Sequence, residues 1–219
     1  IKVFDFNNDN QLDIAIMGID MNGNNIFSVY KNLSGVLTLH QTFSPLGSGS
    51  LNIADFNADG FLDIVVSGYD DDLGSVTKVH FNNAEGNFTE VLNEEGLDLA
   101  SGAQNIAVAD INNDGYYDFI VAGDNSDYEG TAHSYSFNIQ TQNFDKATYD
   151  TGIFGLGGNS NIQLFDYDGD NHPDVLLSGF AEDEFGDYVS FTKLFKNETI
   201  SANAAPYPPT VLNSQISNG

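Results

Sequence analysis

The sequence contains no cysteine, only two methionines and five prolines, and only six lysine and arginine residues together in 219 positions. Without cysteine there is no disulfide to staple the fold, and a cysteine-free extracellular domain needs another staple, for which a metal ion is available. Six basic residues stand against 32 acidic ones, a formal net charge of −26. Nucleic acids and anionic membrane surfaces require a basic patch, so both are excluded as partners. No apolar run approaches the roughly 18 residues of a membrane-spanning helix, so no membrane insertion is expected. No segment shows a capped helical period, so helix content should be minimal. The first residues, "IKVFD", already read as a strand, with neither an initiator methionine nor a signal peptide before them. The chain therefore reads as a piece of a longer protein, and the missing signal does not speak against secretion.

What the sequence does have is apolar mass and a repeat. The apolar fraction is 41%, with 17 Phe and 10 Tyr, which is not the composition of a disordered acidic tail. One phrase occurs four times: "DFNNDNQLDIAIMG" from Asp5, "DFNADGFLDIVVSG" from Asp55, "DINNDGYYDFIVAG" from Asp110 and "DYDGDNHPDVLLSG" from Asp166, spaced 50, 55 and 56 residues apart. Each copy follows a short apolar strand and precedes an almost wholly apolar one, suited to burial on both faces. An alternating strand such as "VTKVHFNN" and an outer strand such as "FTEVL" complete the unit. Four strands per unit of about 50 residues predict an all-β propeller built from four-stranded antiparallel blades. The blades are expected at about 1–48, 49–100, 101–158 and 159–200. The fourth lacks an evident outer strand. Residues 201–219 read as a Pro/Ser/Asn-rich linker or the start of a following domain.

The repeated phrase, D-x-(D/N)-x-D-(G/N)-x-x-D, crowds oxygens into nine positions. Side chains at positions 1, 3, 5 and 9 and the backbone carbonyl of position 7 can converge on one cation. The candidate metal ligands are Asp5, Asn7, Asp9, Gln11 and Asp13; Asp55, Asn57, Asp59, Phe61 and Asp63; Asp110, Asn112, Asp114, Tyr116 and Asp118; and Asp166, Asp168, Asp170, His172 and Asp174. About five hard oxygen donors, completed by water, suit Ca²⁺, about four ions in all; Mg²⁺ demands a smaller octahedral shell and zinc prefers Cys or His. Position 6 must bend sharply and is Asn10, Gly60, Gly115 or Asn171, residue types that tolerate a positive φ. The opening acids mimic an EF-hand, but its position 12 requires Glu, and here that position is Ile16, Val66, Val121 or Leu177.

These four phrases resemble the FG-GAP/VCBS repeats of integrin α-chain-like propellers, over residues 1–197. The runs "TKVHFNNAEGNFTE" and "TKLFKNE" resemble bacterial members found in large secreted surface proteins. The resemblance implies calcium in the loop between the first two strands of each blade. It also implies that four blades are about half of the usual seven-bladed wheel, to be completed by missing blades or self-association.

The loops after each second strand, "GIDMNGNN", "GYDDDLGS", "GDNSDYEG" and "GFAEDEFGD", carry Tyr69, Tyr128 and Phe185 among acids. They are candidate contacts for a surface glycan or protein ligand, with Asp70, Asp71 and Asp72 as a candidate extra cation site. The histidines at 40, 80, 133 and 172 share no motif, and His80 and His133 read as half-exposed strand positions. No nucleophile elbow or zinc-protease motif is present, so no catalysis is expected. Sequons at Asn32, Asn87 and Asn197 are ascribed to the Asn-rich composition. The sequence thus predicts a calcium-stabilised, extracellular adhesion or ligand-binding module. The alternatives are a carbohydrate-active enzyme, or its sugar-binding accessory domain, and a purely structural spacer.

Overall fold

The computed structural model describes residues 1–70, 72–91, 101–124, 130–146, 161–182, 188–198 and 210–215. They form strands throughout, with no helix among the described residues. The first sheet contains β1 (Lys2–Phe4), β2 (Asp13–Ile19), β3 (Asn25–Leu33) and β4 (Val36–Thr42). The second contains β5 (Gly47–Ala54), β6 (Asp63–Asp70), β7 (Gly74–Asn82) and β8 (Phe88–Glu90). The third contains β9 (Ser101–Ala109), β10 (Asp118–Asp124), β11 (Gly130–Asn138) and β12 (Asn143–Lys146). The fourth contains β13 (Asn161–Phe165), β14 (Asp174–Glu182), β15 (Tyr188–Lys196) and β16 (Thr210–Gln215). Within each sheet the strands lie in chain order and pair antiparallel, the meander of a propeller blade.

The acidic phrase always spans the first hairpin. In all four sheets the residue just before the phrase pairs with its ninth residue: Phe4 with Asp13, Ala54 with Asp63, Ala109 with Asp118, and Phe165 with Asp174. The equal register follows from equal loop length, because a one-residue slip would turn every apolar side chain to the wrong face.

The cores lie between sheets. Ala15, Phe27 and Val29 of the first sheet pack on Leu51, Ile64 and Val66 of the second. Val65 and Val79, with Phe56 of the second loop, pack on Phe119, Tyr135 and Phe144 of the third. Ala107, Ile120 and Ala122 pack on Ile162, Val175 and Phe195 of the fourth. A middle sheet therefore buries both faces, which is why β6 is buried over Asp63–Gly68 and reads as a continuous apolar run. Ring pairs tighten the second interface: Phe56 meets Phe144 edge-on at 5.4 Å and Phe119 at 5.9 Å. Among the described residues no core joins the fourth sheet to the first, so the four blades do not close a ring. The first strands line a cavity of about 480 Å³, with Lys2, Leu51, Asn52, Ala107, Ile162 and Gln163 among its walls.

Two features depart from the sequence reading. Thr210–Gln215, in the stretch assigned to a linker or a following domain, pairs with β15 and supplies the fourth sheet's outer strand. Pairing with partners 14 to 23 residues back needs no composition signal beyond the short β-branched run "TVL". His80, expected half-exposed, is 4% exposed. It lies 4.7 Å from the Phe43 ring and 5.6 Å from that of Phe27, in the interface between the first two sheets.

Candidate metal-binding loops

The four acidic phrases adopt the same turn. Position 6 has positive φ in each: 65° at Asn10, 91° at Gly60, 91° at Gly115 and 67° at Asn171. Position 4 is left-handed as well, with φ of 56° at Asn8, 56° at Ala58, 59° at Asn113 and 80° at Gly169. The Asn and Gly at three of these position-4 sites signal that second bend, and Ala58 hides it.

Two left-handed residues curl the backbone so that its N–H groups point inward at the acids. Position 1 accepts from the N–H of position 6: Asn10 to Asp5 at 2.7 Å, Gly60 to Asp55 at 2.9 Å, Gly115 to Asp110 at 2.9 Å and Asn171 to Asp166 at 3.0 Å. It also accepts from the N–H of position 5, at 3.0–3.2 Å across the four loops. The N–H of position 7 donates to the position-5 carboxylate at 2.9 Å in every loop, from Gln11, Phe61, Tyr116 and His172.

Position 9 differs from the other acids. Asp13, Asp63, Asp118 and Asp174 are all fully buried. One oxygen of each accepts the N–H of position 2, from Phe6 at 3.2 Å, Phe56 at 2.9 Å, Ile111 at 2.9 Å and Tyr167 at 2.8 Å. The other accepts an N–H near the end of the sheet's third strand, from Asn32 at 2.7 Å, Asn82 at 2.8 Å, Phe137 at 3.3 Å and Asn197 at 2.7 Å. The ninth residue is thus a bracket between loop and sheet. Sequence spacing places it in the loop but does not name its partner 19 to 23 residues on. Burial, opposed by those N–H bonds, pushes Asp63 and Asp118 up to about 7 and raises Asp13.

The donor set fits a hard cation. Except for the His172 ring, the side-chain donors in the loops are oxygens or amides, and in the fourth loop Asp166, Asp168 and Asp174 each offer an oxygen within 4.8 Å of the others. Among the described residues, the first loop also contains a buried amide, Asn7 Nδ2, with no hydrogen-bond partner. The His172 ring turns towards the loop's own acid, its Nδ1 facing Asp170 Oδ1 at 3.3 Å.

Among the described contacts, two lysines reach the loops. Lys31 Nζ lies 3.3 Å from Asp9 Oδ2. Lys196 pairs with Asp168 and lies 3.6 Å from Asp170. Burial would raise Asp9, but the Gln11 N–H and Lys31 hold it below the usual carboxylate value. The bond to Asp168 lifts Lys196 above the usual lysine value.

On the loops after each second strand, Asp70 is already satisfied. It accepts from the N–H groups of Asp72 and Leu73 and lies 3.5 Å from Lys78. Tyr69 is exposed, whereas Asp71, Tyr128 and Phe185 lie outside the described residues.

Four meander sheets, each opening on the same acidic hairpin and packed face to face, define a protein of propeller blades. Residues 5–66 and 55–121 match the FG-GAP-like repeat, and together they span more than half of the chain. The chain belongs to the FG-GAP-like repeat family. Among curated proteins it has no match.

Proposed function

We propose that this chain is a calcium-stabilised, non-catalytic binding module of an extracellular or cell-surface protein. The observation that supports it most is the fourfold recurrence of one loop with one set of hydrogen bonds, gathering carboxylates on a chain of net charge −26. A cation of charge two at each loop offsets the repulsion among its acids and links two strands of one blade. Calcium is millimolar outside cells, where even weak modules fill. The acids serve as scaffold, with both oxygens of positions 1 and 9 facing backbone N–H groups. That use favours binding over acid–base chemistry.

In this reading the propeller segment runs from residue 1 through β16 (Thr210–Gln215) and is completed by further blades or by self-association. The ligand is a surface glycan or protein. The test is metal counting alongside thermal unfolding in calcium and in excess chelator. About four ions and a stabilisation of several kcal/mol in calcium are expected, since each filled site adds RT ln(1 + [L]/Kd). No bound ion and no shift would overturn the calcium reading. A glycan array with a polysaccharide-degradation assay tests the rest: turnover would make the module an enzyme.

A further inference from the structure

The four loops share a backbone but not their countercharge. In the second and third loops the position-5 carboxylate is held by the position-3 amide: Asn57 Nδ2 donates to Asp59 Oδ2 and Asn112 Nδ2 to Asp114 Oδ2, both at 3.0 Å. In the first loop the corresponding oxygen, Asp9 Oδ2, faces Lys31 Nζ instead, and the displaced amide of Asn7 is the one left buried without a partner. In the fourth loop position 3 is itself a carboxylate, and Lys196 lies against both Asp168 and Asp170.

Both lysines occupy one slot. Each immediately precedes the residue whose N–H caps the position-9 Asp, Asn32 on Asp13 and Asn197 on Asp174. In the second and third sheets that slot holds Phe81 and Ser136, before Asn82 and Phe137. Neither carries charge.

We propose that Lys31 and Lys196 are tethered counter-cations of the first and fourth loops, holding those loops together without metal and lowering their affinity for a divalent cation. This rests on the calcium reading and adds that the four loops are not equivalent. An oxygen that holds calcium at about 2.5 Å and an ammonium at about 3.3 Å puts the two positive centres within about 6 Å, where they repel. A metal entering either loop must move the lysine aside. Among the described residues no cation lies against the second or third loop, and their position-5 acid need only release an amide. The first loop is the weakest: it carries three carboxylates and a lysine, whereas the fourth carries four and a lysine.

Amide resonances of the full 219-residue chain test this during calcium titration. The N–H groups of Asn10, Gly60, Gly115 and Asn171 each donate to the position-1 carboxylate of their own loop, so each reports one site. In the unaltered chain Gly60 and Gly115 should titrate at lower calcium than Asn10. Lys31→Met should tighten the Asn10 curve, and Lys196→Met the Asn171 curve, by about tenfold or more. Lys31→Arg, which keeps the charge, should leave the Asn10 curve weak. Ser136→Lys, which places an ammonium in the uncharged slot of the third sheet, should weaken the Gly115 curve. It decides the matter even if a lysine variant fails to fold. Four curves that coincide, or lysine variants that bind no more tightly, would overturn the inference while leaving the calcium reading intact. If no amide moves and no ion is counted, the calcium reading fails and this inference fails with it.

Discussion

Asn82 and Phe6 stand 76 residues apart in the chain, and the Asn82 side-chain amide donates to the Phe6 carbonyl oxygen at 2.7 Å. Asn197 donates to Ile111 in the same way, at 2.8 Å across 86 residues. Each asparagine also gives its backbone N–H to the buried ninth residue of its own loop. Its amide reaches the second residue of the preceding sheet's loop. One side chain thereby ties two neighbouring acidic loops together. Asn82→Ala should cost about 1–3 kcal/mol, because the buried carbonyl is left unpaired. Asn32→Ala should cost less, since its amide donates to Leu12 at an exposed position within its own sheet. Urea unfolding of the two variants checks the difference.

The acids of one loop should separate into two behaviours. Asp63→Ala leaves the N–H groups of Phe56 and Asn82 without acceptors inside the protein, at about 1–3 kcal/mol each. Asp55→Asn keeps one of the two acceptor oxygens, leaves the other N–H at an exposed position that water reaches, and removes one carboxylate. It should lower bound metal by one ion, with little effect on stability in chelator. Denaturant melts in chelator, paired with metal counting, distinguish the two.

If the acidic loops hold calcium as proposed, the stabilisation it brings should depend on pH in a definite direction. Without metal, Asp63 and Asp118 hold their protons up to about pH 7, whereas the unfolded chain releases them near 3.8. A raised carboxylate pKa means stability that is present at low pH and is lost as pH rises through about 7. Calcium binds the ionised form, so protons and calcium compete. The gain in melting temperature on adding calcium should therefore be larger at pH 8 than at pH 5.5. A gain independent of pH would show that these two acids do not bind the ion.

His80 works in the opposite sense. Burial among aromatic rings, with Lys78 nearby, lowers its pKa from 6.5 to about 4. A depressed histidine contributes stability that is present above 6.5 and is lost as pH falls towards 4. The native state should lose about 2 kcal/mol from this group between pH 7 and pH 5. His80→Phe removes the titration, so the gap between wild type and variant should close or invert as the pH is lowered. Excess chelator through the series removes metal binding from the comparison, and the titration of Asp63 and Asp118 is common to both proteins and cancels.

The residues that show how far sequence reading reaches are the ones that bend or cap the loops. The strand on each side of the acidic phrase, the sheet type and the positive φ at Asn10, Gly60, Gly115 and Asn171 follow from local periodicity and residue choice. The left-handed Ala58 does not, because nothing in alanine's side chain favours that conformation. Asp13 and Asp63 look like their neighbours Asp9 and Asp59 in one dimension. Only the strand that returns 19 residues later distinguishes a buried bracket from an exposed acid. Lys31 and Lys196 escaped notice for the same reason: each lies far along the chain from the acids it touches. His80 sits on an ordinary alternating strand, and it is the neighbouring sheet that buries it.

The position of Asn197 bears on how the protein can be made. Asn197, Glu198 and Thr199 spell an acceptor for N-linked sugar, yet Asn197 is 1% exposed and its amide nitrogen is spent on the Ile111 carbonyl. An oligosaccharide attached to that nitrogen during synthesis would have to sit where the third sheet belongs. A eukaryotic secretory host that modifies the chain before the last two blades meet would produce molecules whose fourth blade cannot dock. Bacterial expression, or Thr199→Ala in a glycosylating host, avoids that trap.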